Sequence, residues 1–542
     1  MAMGTRQGRL GGSVWLALGL VACSSAPPER DSQQTAPQPP EVPTVEVAPT
    51  TEPPPRVDCE ALSLPTERWW TNGHGRSTDP GARAGDVVLS TTRGLFELAA
   101  GWSGCEVLLV LPDLPRQEDA DLWAERADLE ELLAALPPHA ILVVGSRYGD
   151  AAWVERVDVW ARELDDPRLW VADQPLVDEP GWLGPLMAEW GWGFGVDRQQ
   201  QIRYVGSFAD VDRYDAGIGW WRGRLSYAAY DVAHWEFEAD RAARLRTDDA
   251  HVVEVFEGIT VADPGWAGER TTRTVALPAD LERFDTLELD LHLGCKGEGE
   301  FGLCPPWDYL VNLTLCTEAE AAAGDRCSIE FGRWISAYHR EGRWVHDVSP
   351  LLPLLQGGEA TFQFYSQQPY EVRLSLRFRE QGVERPLVAI PLVSGGALDE
   401  AFVERAPITV DVPPGDGRVE LVTVVSGHGQ AGSLTCAEFC VLDQLFTVGE
   451  AEVALRYFKA GTSRGCEATV GEGTVPNQYG TWWFGRQGWC PGREVEVERH
   501  DLTGQVPRGA TVEVDYDVLL AGEPFILGEA RMDVSSWLVV YE

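Results

Sequence analysis

From residue 252 to the C-terminus the chain keeps returning to one pattern: short runs of alternating apolar and polar residues, each closed by Gly, Pro or Asp. Thr286-Leu287-Glu288-Leu289-Asp290-Leu291 and Val372-Arg373-Leu374-Ser375-Leu376-Arg377-Phe378 both have this period of two. Successive side chains of a strand point to opposite faces, so such a run buries one face of a sheet and wets the other. Helical runs are few in this half. About 290 residues of this texture exceed one small β-sandwich and suit two. Residues 385–393 are the expected crossing between them.

The preceding stretch, 58–240, has a different grain. Val107-Leu108-Leu109-Val110-Leu111 and Ile141-Leu142-Val143-Val144 are unbroken apolar runs of the kind a parallel sheet buries on both faces. Residues 129–136 between them, and 182–190 later, have helical spacing. The ending, Gly193-Phe194-Gly195-Val196-Asp197-Arg198 followed by Ile202-Arg203-Tyr204-Val205-Gly206-Ser207, resembles the C-terminal half of thioredoxin-like domains. Such domains place a reactive Cys-x-x-Cys after the first central strand. Here Asp113-Leu114-Pro115-Arg116 stands there, and thiol chemistry needs a thiolate at that point. The stretch is therefore expected to be an α/β thioredoxin-like domain without the redox motif, serving structure or docking.

At the N-terminus Arg6 and Arg9 precede an apolar run, 14–21, too short to span a bilayer as a helix. It ends in Leu20-Val21-Ala22-Cys23, the pattern of a bacterial lipobox. Residues 1–22 read as a lipoprotein signal peptide and Cys23 as the lipidated first residue of the mature chain, held at the membrane. Ser24 in the next position points to the outer membrane or cell surface. Residues 23–57, rich in Pro, Thr, Gln and Glu, read as a disordered tether able to reach up to about 100 Å.

Setting Cys23 aside, the chain's 11 cysteines leave an even ten in an oxidising compartment. Local spacing suggests Cys295–Cys304, Cys316–Cys327, Cys436–Cys440 and Cys466–Cys490, with Cys59 and Cys105 remaining. Spacing alone leaves the connectivity open. A zinc site is the competing reading, disfavoured by the compartment and the lack of Cys-x-x-Cys. A net charge of −41, from 85 acidic and 44 basic residues, argues against a nucleic-acid partner and against a polybasic membrane contact. The 22 tryptophans give mild support to a carbohydrate partner, since indoles stack on sugar faces.

Two acidic motifs framed by cysteine stand out: Cys304-Pro305-Pro306-Trp307-Asp308 and Cys436-Ala437-Glu438-Phe439-Cys440. With them come Val345-His346-Asp347-Val348-Ser349 before a Leu-Leu-x-Gly segment, Ser426-Gly427-His428-Gly429, and Arg486-Gln487-Gly488-Trp489-Cys490-Pro491-Gly492. Taken in their order along the chain, the motifs resemble the bacterial peptide-N-glycosidase F family, whose fold is two eight-stranded jelly rolls packed side by side. The resemblance implies jelly rolls over 252–385 and 386–542, and hydrolysis of the amide joining asparagine to the first N-acetylglucosamine of an N-linked glycoprotein or glycopeptide. It implies Asp308 as the main catalytic carboxylate and Glu438 as its support. Arg486, Gln367, Trp307 and Trp489 are implied as substrate-binding residues, with no cofactor.

Departures from the family pattern are equally specific. A glutamate expected on a strand of the first roll is replaced by Gln367, which keeps the hydrogen bonds and loses the charge. Tyr309 stands where members carry Arg, and the Trp of the Ser-Gly-x-Gly-His stretch is missing, with His428 one step early. These changes keep open a second reading, a glycan-binding or adhesion lipoprotein without turnover. A third reading rests on the copper ascorbate-dependent monooxygenases, which share the paired jelly rolls. Their sites need clustered His and a Met. This chain has nine scattered His and four Met, so no metal is expected and His428 reads as a turn residue. Asn312-Leu313-Thr314 matches a glycosylation sequon but reads as strand.

Overall fold

The computed structural model describes residues 56–69, 77–113, 122–261, 268–295, 304–429 and 436–542. The signal segment, Cys23 and the tether up to residue 55 lie outside them, as do Leu114, Pro115 and Arg116.

Val107–Pro112, Ala140–Gly145 and Leu169–Ala172 lie side by side and parallel at the centre of a seven-stranded sheet. Val88–Thr91 and Gly94–Glu97 extend it antiparallel on one side, Phe194–Val196 and Ile202–Tyr204 on the other. Both faces are covered, which is why the central strands read as unbroken apolar runs. Leu109, Leu111, Leu142 and Val144 pack with Leu129, Leu132, Trp153, Val157 and Trp235. Leu108, Val110, Ile141 and Val143 pack with Trp170, Trp182 and Leu186 on the opposite face. The helical spacing around 129–136 and 182–190 appears as the helices Arg126–Ala135 and Leu183–Glu189. A long helix, Ala228–Thr247, closes the unit. The Asp197-Arg198 turn joins the last two strands: Asp197 Oδ1 accepts the N–H groups of Gln199 and Gln201, and Arg198 pairs with Glu236 on that helix.

Two antiparallel sandwiches follow. In the first, His251–Thr260, Glu371–Arg379, Thr286–Gly294 and Gly342–Asp347 form one sheet in that order. Glu269–Ala276, Glu359–Ser366, Leu310–Leu315 and Ile329–Ile335 form the other, completed by the short strand Arg493–Glu494 from the second half. The second sandwich opposes the order Pro386–Leu398, Leu527–Tyr541, Val419–His428, Glu498–Asp501 to the order Ile408–Asp411, Thr511–Leu520, Asp443–Val448, Ala451–Arg456. Asn312-Leu313-Thr314 lies in strand, and Asn312 donates to Glu330. Where a crossing is expected over 385–393, the structure has strand: Pro386–Leu398 pairs with Leu527–Tyr541. This is an edge strand of its sheet, with register shifts beside Pro386 and Pro391, and there prolines that mimic a linker in sequence are tolerated.

The rolls share one core. Val422, Val424, Trp537 and Val539 of the second pack in the same cluster as Val311, Trp334 and Phe364 of the first. A polar seam runs beside it. Arg333, only 3% exposed, donates to Glu330, to Ser426 Oγ at 2.8 Å and to the carbonyl of Asp533 at 2.6 Å. Five disulfides form, Cys59–Cys105, Cys295–Cys304, Cys316–Cys327, Cys436–Cys440 and Cys466–Cys490, the pairs that spacing suggests. Among the described tryptophans many belong to the core, while Trp307 is 51% exposed. Trp170, Trp182, Trp235, Trp334, Trp482 and Trp483 are fully buried, because so large an apolar side chain gains most by leaving water.

Candidate active site

Asp308 stands two residues before the strand Leu310–Leu315, just after the Cys295–Cys304 bridge. Its backbone is pinned from both sides by one hydroxyl: Ser336 Oγ donates to the Trp307 carbonyl at 2.9 Å and accepts the Tyr309 N–H at 2.9 Å. Glu438 sits on the single helical turn Cys436–Phe439, closed by Cys436–Cys440. Its carbonyl accepts the Gln487 N–H at 2.8 Å, which ties that turn to the segment carrying Arg486.

Arg486 joins the two acids. Its Nη2 lies 3.3 Å from Asp308 Oδ2 and its Nε 3.4 Å from Glu438 Oε1. A single planar guanidinium therefore keeps the carboxylate oxygens within about 9 Å of each other. The remaining donors are used inside the protein: Nη1 on the carbonyls of Thr481 and Phe484, Nη2 also on Thr481 Oγ1 at 2.9 Å and Tyr338 Oη at 3.4 Å. The Phe439 and Trp489 rings lie 5.2 and 5.1 Å from the guanidinium carbon. Arg486 is thus an internal spacer, not an exposed clamp for substrate. It holds the acids.

Burial governs the electrostatics. Desolvation lifts the Glu438 carboxyl to about 7; Arg486 pulls it down and the nearby Asp308 pushes it up. Asp308 is also raised by burial, against the lowering pull of Arg486 and a hydrogen bond with Tyr338. Two acids on one cation cannot both ionise cheaply, so the pair retains a proton near neutrality. One ionised and one protonated carboxyl side by side can activate a water and protonate a leaving group.

Other residues singled out from the sequence fall in three places. Trp307 is exposed at 51% beside Asp308 and is free to meet a ligand ring. Trp489 is buried; its Nε1 donates to the Gly427 carbonyl at 2.7 Å and its ring stacks on His428, so it braces Arg486 from within. Gln367 lines a separate polar groove of about 450 Å³ with Tyr365, Glu330, Arg270 and Arg326, a lining that includes neither acid. His428 ends the strand Val419–His428, not a turn, and its imidazole pairs with Ser426 Oγ at 2.7 Å. Among the described residues, the one close grouping of metal-type donors is Cys59, Cys105 and Glu106. It is a disulfide beside a carboxylate that already accepts three backbone N–H groups, and it offers no free donor set.

Sequence reading missed Tyr338, Thr481 and Ser336. None belongs to a cysteine-framed motif, and each reaches the site only through the fold.

The family description "Peptide-N-glycosidase F, C terminal" matches residues 398–539. The peptide-N(4)-(N-acetyl-beta-D-glucosaminyl)asparagine amidase F of Elizabethkingia miricola is 22% identical over 326 residues, covering 55% of this chain and 86% of that protein. A solved structure of a peptide-N(4)-(N-acetyl-beta-D-glucosaminyl)asparagine amidase is 20% identical, with a TM-score of 0.45 over 54% of this chain and 96% of that one. A glycosylasparaginase from Flavobacterium meningosepticum has 18% identity and a TM-score of 0.43 over the same shares. The match to residues 398–539 and the two antiparallel sandwiches bear out the resemblance of the chain's second half to the peptide-N-glycosidase F family.

Proposed function

We propose that the chain is a hydrolase of the amide linking asparagine to N-acetylglucosamine in N-linked glycoproteins, acting outside the cytoplasm on a lipid tether at Cys23. The observation that carries the reaction is the Asp308–Arg486–Glu438 centre, with two acids from different rolls on one buried guanidinium. Asp308, the more acidic type of carboxyl, takes the proton of a water that adds to the amide carbon. Glu438, protonated up to about pH 7, gives its proton to the departing nitrogen. The carbon–nitrogen bond breaks, leaving an aspartate in the peptide and a glycosylamine that then loses ammonia. Trp307 is the exposed ring available to a sugar face.

Incubation with a denatured high-mannose glycoprotein tests this. Wild type should release the glycan, and Asp308→Asn should slow release by about 10²–10⁴-fold. Equal release by the two proteins would remove Asp308 from the mechanism. Gln367, neutral where the family carries an acid, favours a second reading as a glycan-binding protein without turnover. Glycan binding with no product after prolonged incubation would select it.

A further inference from the structure

The α/β unit reaches the acid centre through side chains that carry no catalytic motif. Asp231, on the helix Ala228–Thr247, is fully buried and pairs with Arg340 at 2.8 Å, both side chains wholly out of solvent. Its other oxygen accepts from Asn477 Nδ2 at 2.6 Å and from the Gly206 N–H at 3.0 Å. Arg340 donates on to the Pro476 carbonyl. Asn477, in the left-handed region at φ 51°, also donates to the Tyr227 carbonyl, and its own carbonyl accepts the Ser207 N–H at 2.6 Å. A few residues away, Tyr227 and Tyr230 both donate to the buried Glu467. Trp221 packs edge-on against Trp483.

Two segments receive these contacts: the turn around 338–340 and the excursion 464–484. They are also the segments that hold the acid centre. The Tyr338 N–H donates to Gln478 Oε1 at 2.8 Å, so turn and excursion are bonded together. Tyr338 Oη and Thr481 then meet Arg486 Nη2, and Tyr338 hydrogen-bonds Asp308.

We infer that the α/β unit is a built-in part of the catalytic centre, with Asp231 a positioning residue that fixes Arg486 and Asp308 through Arg340, Asn477 and Tyr338. A separable docking domain would need none of these bonds, and a buried ion pair contributes little net stability. What such a pair supplies is a single arrangement of the groups around it. This inference rests on the proposed hydrolysis for its kinetic consequence only.

The test uses the full chain with Asp231→Asn, the milder Tyr230→Phe, and Asp166→Asn as a control. Asp166 pairs with Arg168 in the same α/β unit, and Arg168 donates on to the carbonyls of Leu133, Leu136 and Pro137 within that unit. Two readouts are taken: kcat and KM on a glycopeptide, and the titration of the Glu438 carboxyl by its infrared band, identified by its loss in Glu438→Gln. The groups facing that carboxyl are Arg486, Asp308 and the Gly429 N–H. Asp231→Asn should lower kcat about tenfold or more with KM within about twofold, since small misplacements at a reacting centre are costly. It should also move the Glu438 titration upward as Arg486 loosens. Tyr230→Phe should do the same to a smaller degree, and Asp166→Asn should do neither. Titration and kcat unchanged in Asp231→Asn, whatever its loss of stability, would overturn the inference. If wild type shows no turnover, the titration alone decides, and the two claims fail separately.

Discussion

Replacing Glu438 by Gln removes a carboxyl that the fold holds near half-protonation at neutral pH while leaving its shape in place. In the unfolded chain this group titrates near 4.5, and in the folded protein near 7. Between those values the native state binds a proton that the unfolded state has released. Wild-type stability therefore falls as pH rises through this window, with the contribution fully present below 4.5 and lost above 7. A difference of about 2.5 pH units at about 1.4 kcal/mol each amounts to about 3 kcal/mol. Gln does not titrate, so Glu438→Gln should gain about 3 kcal/mol on wild type between pH 4.5 and 7.5, apart from a constant offset. Urea unfolding followed at the tryptophans, repeated across that range, gives both curves. A wild-type-minus-variant difference that stays flat, or that grows in favour of wild type, would refute the reasoning that burial controls this carboxyl.

Arg486→Met leaves both acids without their shared cation. Stability should drop by about 3–5 kcal/mol at pH 8 and by much less at pH 5, where the acids take up protons, as thermal or urea unfolding at the two pH values would show. Trp307→Ala removes an exposed ring. Unfolding should stay within about 0.5 kcal/mol of wild type, while KM for a glycopeptide rises about fivefold, the worth of one stacked ring pair.

The sandwiches are legible because period two is imposed residue by residue. Thr286–Gly294 and Glu371–Arg379 pair directly along their length; their apolar set, with Leu287, Leu289, Leu374 and Leu376, fills the core as the alternation predicts, while the polar set that the alternation would leave wet, Glu288, Asp290, Ser375 and Arg377, is buried as well. The centre is legible for another reason: Asp308, Glu438 and Arg486 all lie beside cysteines, and a bridge fixes a short loop without help from distant sequence. What stayed hidden depends on burial or on convergence. Nothing local distinguishes an arginine that clamps a ligand from one whose five donors are consumed inside the protein, so the place of Arg486 had to come from packing. Trp482 and Trp483 look like sugar platforms by residue type and prove to be core. Asp231, Tyr338 and Thr481 come from three separate stretches of chain that meet only in the folded state.

The chain's acidic excess gives the centre its chemistry. With 85 acids to 44 bases, arginines are a limited resource, and several buried acids have one of their own. Asp231 has Arg340, Glu330 has Arg333, and Glu467 has Arg464. At the roll interface two acids divide one guanidinium, and its remaining donors go to neutral oxygens. The first ionisation there is compensated by the cation, and the second is not. The pair must therefore hold one proton over a range around neutrality, which is the condition for base and acid to coexist in one site. A second cation in contact would pull both carboxyls down, and loss of Arg486 would let burial push both further up. Much of the fold, from Phe439 and Trp489 to Tyr338 and Thr481, surrounds this one shared guanidinium.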